Sequence, residues 1–192
     1  ALVVVAFAAC ALALPFPTFR DGKDGTGTNW AVLVAGSNNY YNYRHQSDVY
    51  HALNILKNAG GYPDDHIILM HYNDIAYSTQ NPDQGVVINH LNGPNVYTAV
   101  KAFPKEQQYT GADVTPDNFV AILTGDKSKA TGKVLESGEN DHVFINFVDH
   151  GGVGLIGFPT EYLYAKDLMA ALTTMNEKKM YKELVFYMEA CE

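Results

Sequence analysis

The sequence predicts one α/β domain built around a parallel β-sheet with helices on its faces. Short, continuous apolar runs alternate along the chain with segments whose apolar residues have helical spacing. Such runs suit strands that are buried on both faces, and the segments between them supply the crossovers that a parallel sheet needs. A length of 192 residues suits a single core.

Four apolar runs predict strands, and three amphipathic segments predict helices. The strands are WAVLVAG (30–36), HIILMHY (66–72), DHVFINFV (141–148) and LVFYM (184–188). The helices are SDVYHALNILKNAGG (47–61), TPDNFVAILTGD (115–126) and YLYAKDLMAALTTMNEKK (162–179). Ser47 or Asp48 is expected to cap the first helix, with Gly60 and Gly61 ending it, and Thr115 to cap the second. Most of residues 73–114 is expected to be a surface excursion.

The N-terminal segment has the composition of a secretory leader. Residues 1–14 are almost purely apolar and are interpreted as a partial signal peptide, residues 15–28 as a polar leader or pro-segment, and residues 29–192 as the folded domain. A buried strand or a short membrane anchor is the alternative for residues 1–14. A bilayer span needs about 20 apolar residues, so we expect the secretory pathway and no membrane anchor.

Charge and cysteine content narrow the classes of function. The net charge is −8 and the 13 Lys and Arg residues are scattered, which argues against a nucleic-acid partner. Removal of the leader would remove Cys10 and leave Cys191 as the single thiol, with no internal disulfide. A single thiol in a secreted protein pairs with another chain or is reactive.

Two predicted strands end in reactive side chains. FVDHGG places His150 after one strand and EACE places Cys191 after the next, and parallel strands end at the same edge of a sheet. If these strands are neighbours, the histidine can take the proton of the thiol and later protonate a leaving amine. Gly151 and Gly152 leave room for backbone amides that, with the amide of Cys191, would hold an oxyanion.

Two alternatives remain open on the residues alone. His150 and Cys191 are also compatible with a structural strand-end histidine and a buried apolar filler. A strand that ends in Asp149 and His150 also occurs in metal-dependent phosphatases, with Ser37 as a vaguely placed nucleophile. The further ligands that a metal site would need are available as His66, His71, Asp74, Asp141 and His142, although their spacing is not typical of one site.

Several long stretches resemble the legumains, the asparaginyl endopeptidases also called vacuolar processing enzymes. These stretches are AGSNNYYNYRHQSD, HYNDIAYSTQNP, GVVINHLNGPNVY, YTGADVTP, DHVFINFVDHGG and MYKELVFYMEACE, in the family's order between about Asn29 and Glu192. The wider clan, which includes the caspases, shares the apolar strand before His-Gly and the one before Ala-Cys.

The resemblance implies a caspase-like three-layer sandwich with a mostly parallel six-stranded sheet, whose C-terminal part would follow Glu192. It implies no cofactor and no metal. The implied catalytic residues are Cys191 as nucleophile, His150 as general acid and base and Asn42 as the group that orients the histidine, with Gly151 and Cys191 at the oxyanion site. The implied substrate-binding residues are Arg44, His45 and Glu189, and Asp149 matches a position that is associated with peptide ligation.

The implied function is a cysteine endopeptidase, made as a zymogen, that cleaves after asparagine and, in acid, after aspartate. An asparaginyl transpeptidase or ligase and a catalytically inactive or inhibitor-binding fragment are the alternatives. The expected partners are protein and peptide substrates with asparagine and cystatin-type inhibitors. The expected location is lysosomal, vacuolar or extracellular, including a gut lumen.

Overall fold

The computed structural model describes residues 2–6, 27–59 and 61–191. Its strands are β1 (Leu2–Ala6), β2 (Asn29–Ala35), β3 (Ile67–His71), β4 (Gln108–Thr110), β5 (His142–Val148), β6 (Gly151–Gly152), β7 (Leu155–Gly157), β8 (Tyr162–Tyr164) and β9 (Glu183–Glu189). Six form a parallel sheet in the order β1-β9-β5-β2-β3-β4, and the other three form a small antiparallel sheet. The predicted α/β class with a six-stranded sheet is confirmed.

Helices cover both faces of the parallel sheet. The α-helices of the described residues are α1 (Tyr43–Ala59), α2 (Tyr97–Ala102), α3 (Pro116–Thr124) and α4 (Ala165–Glu177). Leu53 of α1 and Val100 of α2 belong to the same buried cluster as Leu33 of β2. Phe119 of α3 shares the opposite cluster with Val32 of β2. The predicted three-layer sandwich is therefore confirmed.

The central strands β2 and β5 are apolar at most positions because both faces are covered. Side chains of a strand alternate between faces, so Val32 and Leu33 point into different layers. Both residues are 0% exposed. A strand between two helical layers cannot show a polar alternation, which is why these strands appear in the sequence as continuous apolar runs.

Helix α1 begins earlier than its sequence indicates. Ser47 is not a cap, because α1 starts at Tyr43 and the Ser47 hydroxyl donates to the Ile88 carbonyl from inside the helix. The chain enters α1 through a 3₁₀ turn, Tyr40–Asn42, which Asn39 caps by accepting from the Tyr41 amide. Gly61 follows the helix with φ of +65°, and Gly60 lies outside the described residues.

The other helix predictions had different outcomes. Helix α3 has the predicted Thr115 cap, which accepts from the Asn118 amide, and ends at Gly125 with φ of +66°. The expected first turn of the last helix is wrong, because Tyr162–Tyr164 forms β8. Leu163 of that strand is buried opposite Ile156 of β7, so the segment alternates exposed, buried and exposed side chains.

Residues 73–114 are packed and are not a surface excursion. Ile75 and Val87 are 0% exposed, and α2 and β4 lie within this region. The interpretation from sequence was wrong because isolated apolar residues between polar ones have no strand or helix period, although each of them fills a place in the core.

The N-terminal segment adds a strand to the sheet. Residues 2–6 form β1, which pairs in parallel with β9. Residues 7–26, which include Cys10, lie outside the described residues, so the leader at 1–14 and the polar segment at 15–28 stay predictions. Among the described residues, none of the helices combines the length and the apolar character that a membrane crossing requires.

His71, at the end of β3, is expected to make stability depend on pH. The ring is 0% exposed and lies 2.8 Å from the Tyr50 hydroxyl and 3.0 Å from Gln108 Oε1. Burial lowers the pKa of His71 from 6.5 to about 4. The unfolded chain therefore binds a proton at higher pH than the folded chain, so stability falls as pH falls through this interval, by about 3 kcal/mol.

The His71→Gln variant isolates this effect. Its free energy of unfolding is expected to be lower at pH 7, because it loses the imidazole contacts, and to fall less between pH 6.5 and pH 4 than that of the unmodified protein. Urea unfolding at several pH values measures both quantities. His90→Gln, at an exposed histidine, is the matched control and should leave the pH dependence unchanged. A full pH dependence in the His71 variant would contradict the assignment.

Candidate active site

The register of the parallel sheet brings three strand ends to one edge. Ala35 of β2 is level with Val148 of β5, and Val148 is level with Glu189 of β9. His150 and Cys191 each lie two residues beyond these aligned positions. The prediction that the two strands are neighbours is confirmed, while the catalytic roles of the two residues stay predictions.

Asn42 makes the contact that orients the histidine. Its Oδ1 lies 2.8 Å from His150 Nε2, and its Nδ2 donates to the Asn38 carbonyl at 3.0 Å. The second contact identifies which end of the amide carries the oxygen. An amide oxygen only accepts, so His150 Nε2 carries the proton and Nδ1 keeps a lone pair. This is the tautomer that can accept a proton from a thiol.

A carboxylate from the segment after β3 holds the turn before Asn42. Asn39 has φ of +62°, and its amide donates to Asp74 Oδ2 at 2.6 Å. Asp74 Oδ1 accepts from Gln46 Nε2 of α1 at 2.7 Å. Asp74 therefore ties the turn before Asn42 to the helix after it.

Asp74→Asn is expected to lower kcat with little change in KM. The NH₂ group of the new asparagine replaces one carboxylate oxygen and would face an N–H donor, either the Asn39 amide or Gln46 Nε2. The turn would then shift, and Asn42 would no longer contact His150. A displacement of about 1 Å at a catalytic group costs about 100-fold. Steady-state kinetics and thermal unfolding should be measured together. Asp83→Asn, at an exposed carboxylate, is the control, and an unchanged kcat in the Asp74 variant would refute the role.

Gly151 lies directly against the cysteine. A Cβ atom at this position would be 2.5 Å from the Cys191 carbonyl oxygen and 2.9 Å from the Ala190 Cβ. Only glycine therefore allows the β6 backbone and the Cys191 backbone to approach this closely. Cys191 itself is exposed and has a free thiol. The arrangement places the exposed thiol beside the backbone of Gly151.

His45 and Asp149 form a buried layer behind His150. The two rings, His45 and His150, meet edge to face with centroids 4.9 Å apart. His45 Nδ1 lies 2.7 Å from Ser37 Oγ and 3.2 Å from Asp149 Oδ1. The second distance is that of an ion pair without hydrogen-bond geometry, and Asp149 Oδ1 has no hydrogen-bond partner among the described residues. His45 is 1% exposed, so its ring lies behind the histidine and not on the open surface.

Two glycines make room for the Asp149 carboxylate. A Cβ atom on Gly36 or on Gly157 would lie 2.7 Å from Asp149 Oδ2. Gly36 follows β2 and Gly157 ends β7, so the carboxylate is wedged between the main sheet and the small sheet. Asp149 is 4% exposed as a result. Its predicted connection with ligation stays a prediction.

The remaining predicted substrate residues carry opposite charges at the open edge. Arg44 lies on the first turn of α1 and Glu189 ends β9, and both are exposed. No described residue forms an ion pair with Arg44. Asp48, one turn further along α1, is close enough to Glu189 to feel its charge. Burial raises the pKa of Asp48, a hydrogen bond from Asn89 lowers it, and the charge of Glu189 adds to the rise.

The ligands that the phosphatase alternative required are dispersed. His66 stacks on Trp30, His71 is bonded to Tyr50, and Asp74 holds Asn39. Asp141 accepts from Thr28, and His142 begins β5, at the opposite end of that strand from Asp149 and His150. Within residues 27–59 and 61–191, none of these five joins Asp149 and His150 in a metal-ligating group.

Sequence reasoning missed the supporting residues Asp74, Gly36 and Gly157, and gave Ser37 a different role. Asp74 appeared only as a spare metal ligand and Ser37 only as a nucleophile for the phosphatase alternative. Gly36 was interpreted as the end of a strand. A glycine directly after β2 was the one available signal of a close approach, but the sequence does not identify the approaching group.

Comparison with known proteins assigns the family. The parallel sheet between two helical layers, with the candidate site beyond the ends of β2, β5 and β9, is that of a caspase-like fold. The sequence profile of the Peptidase C13 family matches residues 29–192. The chain belongs to this family.

Named relatives agree with this assignment. Legumain from Homo sapiens is 50% identical over an alignment of 193 positions that covers 98% of this chain and 43% of the relative. Legumain from Rattus norvegicus is 53% identical over 176 residues, or 90% of this chain and 39% of the relative. A vacuolar-processing enzyme from Citrus sinensis is 50% identical over 173 residues, and the match covers 88% of this chain and 34% of the relative. The chain thus spans less than half the length of these relatives.

Proposed function

We propose that the protein is a cysteine endopeptidase that hydrolyses peptide bonds after asparagine and, in acid, after aspartate. The observation that carries the proposal is the 2.8 Å contact between His150 Nε2 and Asn42 Oδ1, at the strand end beside Cys191. Membership of the Peptidase C13 family and the similarity to proteins named legumain and vacuolar-processing enzyme support the same class.

Acylation uses the tautomer that Asn42 selects. The Cys191 thiol gives its proton to His150 Nδ1, and the thiolate sulfur attacks the carbonyl carbon of the scissile peptide. The developing oxyanion accepts from the amides of Gly151 and Cys191. The imidazolium then gives its proton to the leaving amine, the C–N bond breaks, and a thioester on Cys191 remains.

Deacylation repeats the proton transfers with water. His150 takes a proton from a water molecule, the resulting hydroxide attacks the thioester carbonyl, and the C–S bond breaks. The imidazolium returns its proton to the departing sulfur of Cys191. The products are a free carboxyl end and the restored thiol. Asn42 keeps the imidazole in place through both halves, because the contact with Nε2 is made whether Nδ1 is protonated or not.

The charges at the open edge suit a carboxamide side chain. An asparagine side chain offers an oxygen that accepts from Arg44 and an NH₂ group that donates to Glu189. A protonated aspartate can donate in the same way, whereas an ionised aspartate meets the carboxylate of Glu189 with a like charge. Cleavage after aspartate is therefore expected only as pH falls toward the pKa of the substrate carboxyl, which is about 4 in a free peptide.

A panel of peptides that differ only in the residue before the cleaved bond tests the specificity. With the natural full-length protein in its active form, we expect cleavage after asparagine at pH 5 and at pH 6, and cleavage after aspartate that rises as pH falls. Glutamine, one methylene longer, is the control and should be cleaved slowly. Equal rates for asparagine and glutamine would contradict the pocket assignment.

A ligase and an inactive protein remain as alternative functions, and each predicts different reaction products. An added peptide amine competes with water for the thioester, so a ligase gives joined or cyclised product in preference to hydrolysis. An inactive protein or inhibitor-binding module would give neither product, and Cys191→Ala would then leave every measured property unchanged.

The expected location and inhibitors follow from the leader and the family. We propose passage through the secretory pathway to a lysosome, a vacuole or an extracellular space such as a gut lumen, and synthesis as a zymogen. Cystatin-type inhibitors are the proposed protein partners besides substrates. A cystatin that binds the active site should block labelling of Cys191 by an electrophilic asparagine peptide.

A further inference from the structure

Three metal-ligating side chains converge around the histidine at the sheet edge. His45, Asp149 and His150 each offer one ligand atom, and these atoms lie within 4.8 Å of one another. His45 is 1% and Asp149 is 4% exposed, whereas His150 is exposed. A cation would therefore reach the cluster from the side of His150 and meet a buried carboxylate and imidazole beneath it.

The donor set is that of a zinc site with an open position. Two imidazole nitrogens and one carboxylate oxygen bind zinc at about 2.0 to 2.2 Å and leave the fourth position to water. Ligand atoms around such an ion are about 3.4 Å apart, and the ligand atoms here all lie within 4.8 Å of one another. Metal binding would therefore draw the ligand atoms closer together. His150 is the exposed member of the set, so it is the side chain with space to move.

A buried oxygen that makes no hydrogen bond with the described residues lies in the cluster, 3.2 Å from His45 Nδ1. Asp149 Oδ1 is buried and has no hydrogen-bond partner among the described residues. Gly36 and Gly157 lie against the other oxygen, Oδ2, so the carboxylate cannot swing away to find a partner elsewhere. The contact of Oδ1 with His45 Nδ1 lacks hydrogen-bond geometry. A buried carboxylate oxygen without a hydrogen bond is costly, and a cation bound between the two side chains would satisfy it.

The histidine is already oriented as a ligand. Ligating histidines usually donate their second ring N–H to a carbonyl or carboxylate oxygen, which fixes the ring and its tautomer. His150 Nε2 makes this contact with Asn42 Oδ1 at 2.8 Å, which leaves the lone pair on Nδ1. The lone pair that a metal ion would use is therefore the one that the proposed mechanism uses for the proton of the thiol.

We propose that His45, Asp149 and His150 bind a divalent transition-metal ion, zinc above all, and that the bound ion inhibits the enzyme. The binding depends only on the geometry of the cluster, whereas the inhibition rests on the proposed peptidase function. Inhibition follows because the ion occupies the nitrogen that must accept the proton of Cys191. The inhibition is reversible, since no covalent bond forms and a chelator removes the ion.

Direct binding is measured on the Cys191→Ser variant of the natural full-length protein, so that activity is not the readout. We expect calorimetry to show one zinc ion bound per chain, and cobalt to give the visible absorption of a four-coordinate site. Asp149→Asn and His45→Gln, each added to this variant, should weaken binding at least tenfold. Glu189→Gln, at an exposed carboxylate on the same sheet edge, is the matched control and should bind zinc as before.

Several results would overturn the site. No binding of zinc by the Cys191→Ser variant, when the unmodified protein binds it, would assign the ion to the thiol and not to the carboxylate. Unchanged zinc affinity in both the Asp149 and the His45 variants would show that these two residues are not ligands. Thermal unfolding of each variant separates loss of the site from loss of the fold.

Inhibition by zinc is tested separately from zinc binding. Metal-free protein that hydrolyses an asparagine peptide should lose activity as zinc is added and recover it with a chelator. Full activity with zinc bound would overturn the inhibition while leaving the binding site established. No hydrolysis by metal-free protein would count against the proposed peptidase function, and the binding measurement would still stand.

Discussion

Replacing Cys191 by alanine is expected to abolish peptide hydrolysis by the natural full-length protein. In the proposed mechanism Cys191 forms the only covalent bond to substrate, so its loss removes the thioester route, and kcat/KM should fall by at least about 10,000-fold. An electrophilic peptide with asparagine at its reactive end should label the unmodified protein and not the variant. Because Cys191 is exposed and makes no core contact, the thermal unfolding temperature should stay unchanged.

The His150→Ala variant completes this test. The thiol and the imidazole act as a unit, so each single variant should lose nearly as much activity as the double variant. Retention of more than about one hundredth of the activity by Cys191→Ala would exclude this residue as the nucleophile. A loss of activity together with a lower unfolding temperature would indicate a damaged fold, and for that reason both quantities are measured on each variant.

Gly151→Ala is expected to lower kcat/KM by about 100-fold, although it adds a single methyl group. Its Cβ would lie 2.5 Å from the Cys191 carbonyl oxygen, which is a backbone atom that cannot rotate away. The strand β6 and the segment that carries Cys191 must therefore separate. This separation moves the thiol and the oxyanion amides relative to each other.

Gly152→Ala is the matched control for the added methyl group. Its Cβ would meet only the Leu155 side chain, with Cδ1 at 3.5 Å and Cγ at 3.8 Å, which are ordinary contacts. The backbone amide is retained in both variants, so their difference isolates the steric effect at Gly151. We expect kcat/KM of Gly152→Ala within about threefold of the unmodified protein. Equal losses in the two variants would show that the close approach to Cys191 is not what matters.

The sheet could be predicted from sequence because its signals are local. The run WAVLVAG is apolar at every position, and strand β2 covers most of it with both faces buried. The helix α3 carries a Thr115 cap, a proline at its start and a glycine after its end, all within twelve residues. Signals of this kind depend only on neighbouring residues, so they do not require knowledge of distant contacts.

The same local reasoning failed where a distant contact decided the conformation. Ser47 has the side chain of a cap, but its hydroxyl bonds to Ile88, which lies 41 residues away. The segment at Tyr162–Tyr164 has apolar residues that fit the first turn of a helix, but pairing with β7 makes it a strand. Tertiary contacts override weak local preferences at the ends of elements.

The sequence by itself determined the fold class, the order of the strands that carry His150 and Cys191, and the resemblance that adds Asn42 and Arg44. Only the tertiary structure decided that Asp74 holds the turn before Asn42, and that Asp149 is wedged between two glycines with one oxygen that makes no hydrogen bond with the described residues. The contact between Asn42 and His150 joins residues 108 positions apart. A hydrogen bond of that span leaves no periodic pattern in the chain, because its geometry is set by the packing of the whole sheet edge and not by the residues beside either partner.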